Sequence, residues 1–143
     1  MAVGIGRILG RFFTGGSGPQ RFVPAGTVID PLGVAASFIA PTFGAGVVLN
    51  TSQESGSLWQ RITAPNNTAY TLGAPTVAVT GQRLLITVRN TAGVALGAAT
   101  FNAIFKIGAA WTNPATGFSR SIEFIFDGTN WVEFTRTAAD VAN

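Results

Sequence analysis

The chain has 143 residues, enough for one hydrophobic core but not for two. Hydrophobic residues make up 47% of it but charged residues only 10%, against roughly 25% in an ordinary soluble domain, so much of the surface is expected to be covered by other chains. Cysteine and histidine are absent, which excludes disulfides, thiolate nucleophiles, imidazole bases and the common zinc, copper and haem sites; no metal or cofactor is expected.

The charge is unevenly placed. Arg7, Arg11 and Arg21 stand in the first stretch with no acid among them. Beyond them Arg61, Arg83, Arg89, Lys106, Arg120 and Arg136 balance Asp30, Glu54, Glu123, Asp127, Glu133 and Asp140, so the net charge of +3 belongs to the N-terminal segment. A specific nucleic-acid interface needs a basic face on the folded body, and this distribution argues against one.

Residues 1–14 carry Ile5, Ile8, Leu9, Phe12 and Phe13 at near-helical spacing, with Arg7 and Arg11 four apart. Gly4, Gly6 and Gly10 oppose a stable free helix, and the Gly15-Gly16-Ser17-Gly18-Pro19 run reads as a hinge. Residues 1–20 are therefore read as a docking arm that orders on a partner, and Ile5, Arg7, Ile8, Arg11, Phe12, Phe13 and Arg21 are its candidate contacts. A frayed terminus and contact with a lipid surface are the competing readings. Arginines interrupt the apolar stretch, so it does not read as a signal peptide.

Residues 21–143 form the expected body. Short β-rich runs separated by Gly, Pro, Asn and Thr fall at 21–29, 36–40, 46–50, 58–63, 70–72, 76–80, 84–90, 98–107, 121–126 and 131–136. That pattern predicts an all-β fold, an antiparallel β-sandwich or jelly-roll-like domain. The apolar stretch 92–111 contains Thr100, Asn102, Lys106 and several glycines, and reads as a buried strand pair rather than a membrane span. In the last two runs, a three-residue loop Gly128-Thr129-Asn130 would set Phe126 opposite Val132 and Phe124 opposite Phe134. One apolar face would result, with Asn130 left-handed in the turn.

Little catalytic chemistry is available. Glu123, Asp127 and Glu133 are the only clustered carboxylates, and a solvated strand face with cross-strand ion pairs accounts for them better than an acid–base pair. Lys106 reads as a strand residue with its ammonium at a surface, and no glycine run has the spacing of a phosphate loop. Asn50-Thr51-Ser52 and Asn66-Asn67-Thr68 match the glycosylation triplet only by composition. Trp59, Tyr70, Trp111 and Trp131 are candidates for an interface or a sugar-stacking platform, or for the core.

The stretch Gly81-Gln82-Arg83-Leu84-Leu85-Ile86-Thr87-Val88-Arg89-Asn90-Thr91, followed by Ala99-Thr100-Phe101, Phe105-Lys106-Ile107 and Ser121 through Trp131 with its Asp127-Gly128-Thr129-Asn130 turn, resembles head-decoration and fibre-type β domains of phage particles. The resemblance covers residues 80–136. It implies a non-enzymatic virion structural protein, with no catalytic residues and often trimeric. The leading expectation is a capsid decoration (cement) protein, a homotrimer whose arm grips the major capsid protein, located in the virion and assembled in the host cytoplasm. A tail, baseplate or fibre component, or a carbohydrate-binding host-attachment module, is the alternative.

Overall fold

The computed structural model describes residues 38–49 and 57–143. The proposed arm, its seven contact residues and the run 21–29 lie outside them. Among the described residues there is no helix, and nine strands form two sheets. The strands are β1 (Gly46–Val47), β2 (Ser57–Ala64), β3 (Tyr70–Leu72), β4 (Arg83–Asn90), β5 (Ala99–Phe101), β6 (Phe105–Lys106), β7 (Phe118–Phe126), β8 (Trp131–Arg136) and β9 (Val141–Ala142).

The all-β expectation holds for these residues. The antiparallel pairing does not hold throughout, because the first half of the chain winds differently. One sheet has the order β1-β3-β5 and the other β2-β4-β7-β8-β6, with β9 on β7. From β1 to β5 the chain alternates between the two sheets, so each strand lies beside the strand one circuit earlier and pairs with it in parallel. Gly46 stands opposite Thr71, and Thr71 opposite Thr100; on the other sheet Gln60 stands opposite Ile86. An isolated parallel bridge puts Ile39 against Gln60, its amide donating to the Trp59 carbonyl at 2.8 Å and its carbonyl accepting from the Arg61 amide at 2.8 Å. Parallel neighbours need a long crossover, and here the opposite sheet provides it. Alternating side chains are the same for either pairing direction, so sequence patterning alone did not separate the two.

The turns show how the circuits close. After β2, the Asn66 side chain accepts from the Thr68 amide at 3.0 Å, a local turn that sends the chain to the other sheet. Gly97, one circuit later, lies against this turn so closely that a Cβ there would sit 2.5 Å from the Ala69 nitrogen and the Asn67 oxygen. Only glycine lets the two backbones approach in this way.

The inner faces of both sheets supply one core. Val47, Tyr70 and Leu72 come from the three-stranded sheet, and Ile62, Leu84, Ile86, Val88, Ile122 and Phe124 from the other. Phe101 of β5 reaches across to Phe124 of β7, with ring centroids 6.1 Å apart. The stretch 92–111 is strand and loop, as expected, but β5 and β6 belong to different sheets and do not pair. The run 76–80 is loop.

Asn113 fastens the core's edge. Its side-chain oxygen accepts from the Tyr70 hydroxyl at 2.7 Å and the Trp111 indole at 3.1 Å, while its amide donates to the Gly97 carbonyl at 2.7 Å. Burial pushes the Tyr70 phenol up from 10.0 to about 12, with the Trp111 indole offsetting part of the rise. Above pH 10 the unfolded chain ionises at this position and the folded chain resists, so stability is expected to fall as pH rises from 10 towards 12. Denaturation midpoints across that range check this, and Tyr70→Phe should flatten the loss.

The C-terminal hairpin is antiparallel, with a register that corrects the expectation. Phe126 stands opposite Trp131, Ile125 opposite Val132 and Phe124 opposite Glu133. A bulge between Glu123 and Phe124 then sets Glu123 against Thr135. Trp131 is fully buried, with its ring 5.2 Å from that of Phe126, while Phe134 is 60% exposed. The larger indole takes the inward position and Val132 and Phe134 turn outward, since burying a tryptophan removes more apolar surface from water. Gly128, at φ 103°, takes the left-handed position in place of Asn130. The Asp127 carboxylate accepts from the Thr129 and Asn130 amides at 2.8 and 2.7 Å and holds the turn.

Candidate interaction face

The outer face of the six-stranded sheet brings exposed and half-buried apolar and cationic side chains into register. Strand alternation places Trp59 and Arg61 of β2, Arg83, Leu85, Thr87 and Arg89 of β4, and Ser121, Glu123 and Ile125 of β7 on it. Two rows run across the strands. One is Trp59, Leu85, Glu123 and Thr135; the other is Arg61, Thr87 and Ser121.

The rows are fixed by side-chain contacts. The Trp59 indole donates to the Thr87 hydroxyl at 3.0 Å, and the Thr87 and Ser121 hydroxyls share a hydrogen bond of 2.9 Å. The Phe38 ring lies 5.3 Å from Trp59, and the Arg61 guanidinium sits 3.6 Å over Phe38. Arg83 donates to Glu123 at 2.7 Å and lies 5.1 Å over the Phe134 ring. Trp59 remains 41% exposed and Val132 39%. A hollow of about 210 Å³ opens among Leu85, Ser121, Glu123, Thr135, Arg136 and Thr137.

Of the four aromatic candidates, only Trp59 is on this face. Tyr70 and Trp131 are in the core, and Trp111 is half-buried against Phe101, with ring centroids 5.9 Å apart. They do not assemble into one stacking platform. Sequence reasoning missed Val132 and Phe134 as surface residues because it set them opposite the inward phenylalanines. The competing inward candidate, Trp131, was visible in the sequence, and its size was the usable signal.

The carboxylates are dispersed. Glu123 pairs with Arg83. Glu133 pairs with Arg136 and accepts from the Gly108 amide at 2.7 Å, and these contacts, Arg136 first, hold it below the ordinary carboxylate range. Asp140 pairs with Arg120 and accepts from the Ala115 amide, and is lowered in the same way. The Asn130 and Thr129 amides lower Asp127. Asp127, Glu133 and Asp140 are each stabilised in the charged form by separate partners, unlike a pair tuned to share a proton. Lys106 is exposed, donating to the Ala103 carbonyl at 2.8 Å. Among the described residues no cluster of acidic side chains could hold a metal ion, and no helix is long and apolar enough to cross a membrane.

Comparison with protein-family models, curated proteins and solved structures gave no match.

Proposed function

We propose that this chain is a non-enzymatic structural protein of a phage particle that works by docking its sheet face onto neighbouring subunits. The observation that carries the reading is the outer face of the six-stranded sheet, where Trp59, Val132 and Phe134 stand exposed beside arginines. Trp and Arg are the residues that most often anchor protein interfaces. The low charge content and the resemblance over residues 80–136 point the same way. Within this class the leading assignment is a capsid decoration protein, acting as a homotrimer whose repeated weak contacts combine on the shell.

The winding favours a second assignment, a fibre or tail component. We read the alternation of β1 to β5 between two sheets as a short β-solenoid coil capped by the β7–β8 hairpin, rather than a jelly roll. Such a coil builds along one axis, which suits an elongated assembly.

The test is co-sedimentation of the purified chain with phage heads and, separately, with tails lacking it. Saturable binding to heads at a fixed ratio to the capsid subunit is the expected result. Binding to tails alone would move the assignment to the fibre class, and binding to neither would overturn the structural reading.

A further inference from the structure

The outer face of the six-stranded sheet is asymmetric in charge. Arg61, Arg83 and Arg89 lie on it, and Lys106 joins them at the far edge, opposite the exposed Val132. Two carboxylates are set against them: Glu123, which Arg83 already occupies, and Asp127 at the end of β7, within electrostatic reach of Lys106, so cations still outnumber acids on this face. Among these cations stand the apolar side chains Trp59, Leu85, Ile125, Val132 and Phe134, interspersed with Thr87, Ser121 and Glu123.

We propose that this face docks an acidic protein surface that also presents aliphatic side chains; the inference rests on the structural reading above and names the chemistry of its partner. Charge complementarity selects the occupant. A second copy using the same face would set the four cations against their equivalents. For a sugar, Trp59 offers no donor of its own, since the indole N–H is held by Thr87, the Thr87 hydroxyl is shared with Ser121, and Phe38 flanks the ring. A side chain protruding from a protein partner fits the hollow, whose lining combines Leu85 with Ser121, Glu123, Thr135, Arg136 and Thr137.

The experiment uses the full chain and a synthetic strand-forming peptide of repeated Leu-Leu-Glu-Glu, which shows leucine and glutamate on each face. Its Leu-Leu-Lys-Lys counterpart, alginate, duplex DNA and phosphatidylserine vesicles serve as comparisons, with binding read by tryptophan fluorescence and backbone NMR shifts. The glutamate peptide should bind, weaken as salt is raised, and shift the amides of β4 and β7. Arg89→Glu combined with Lys106→Glu should weaken it about tenfold or more, and Phe134→Ser should weaken it with little change in salt dependence. Circular dichroism confirms that these variants, all at exposed or half-exposed positions, remain folded.

Equal binding of the lysine peptide, binding only to alginate, DNA or vesicles, or no binding would each overturn the inference. Undiminished association of the charge-reversed chain with particles would also overturn it, while leaving the structural role intact. Loss of particle binding by the unaltered chain would instead count against that role.

Discussion

Trp131→Ala is expected to lower stability by about 4 kcal/mol, the range for removing a large aromatic from a core, whereas Phe134→Ala should change it by less than about 0.5 kcal/mol. The contrast follows from the hairpin register. Trp131 is fully buried, against Phe126 and beside Phe105 of the neighbouring strand. Phe134 sits at the bulge, exposed, with a guanidinium over its ring. Urea denaturation of the two variants measures the difference, and comparable losses would restore the register in which Phe134 faces inward. Trp131→Phe refines the test. The buried indole N–H has no hydrogen-bond partner, so phenylalanine removes area and an unsatisfied donor together, and the cost should be less than half that of alanine.

Asn113→Ala should cost about 3 kcal/mol, although little apolar surface is lost. One side chain satisfies the Tyr70 hydroxyl, the Trp111 indole and the Gly97 carbonyl. Its removal leaves up to three polar groups in or near the core without a partner, and stranding such groups costs about 1–3 kcal/mol each before relaxation or water entry reduces the sum. Tyr70→Phe in the Asn113→Ala background should recover part of the loss by deleting one stranded hydroxyl. A double-mutant cycle by denaturation reads this coupling, and strictly additive losses would show that the hydroxyl and the amide do not act together.

Several of the strands were legible in the sequence, because alternation with a buried face leaves a period of two. Residues 58–63, 70–72, 84–90, 121–126 and 131–136 all lie within observed strands, and Ile122, Phe124 and Phe126 face inward as read. Pairing direction was not legible, since Arg83–Asn90 alternates identically whether its neighbour runs with it, as β2 does, or against it, as β7 does. The single run read at 98–107 contains two strands because Asn102 turns the chain, its side chain accepting from the Ile104 amide at 3.1 Å. For the interaction face, the sequence supplied Trp59 but not the company it keeps. Arg61 follows from the i,i+2 spacing of one strand, but Phe38, Thr87 and Ser121 are brought to it by parallel and antiparallel neighbours from distant parts of the chain, and no local spacing announces that meeting. The ion pair of Arg136 with Glu133 depends on the bulge, because residues three apart in a regular strand face opposite sides; that of Arg120 with Asp140 depends on β9 returning along β7.

The place of β6 in its sheet sets an order of assembly. It leaves the ribosome before β7 and β8, yet its ladder partner in the sheet is β8, and the whole hairpin stands between it and β4. A nascent chain ending before Trp131 can lay down the coil as far as β5, each circuit templating the next, but Phe105 and Lys106 then have no edge to join. The sheet is completed only when the later-made hairpin enters between two earlier strands. A premature stop in the turn between β7 and β8 would therefore remove β8 and β9 and also leave β6 without its partner, exposing Phe105 and the edge of β7 to other chains.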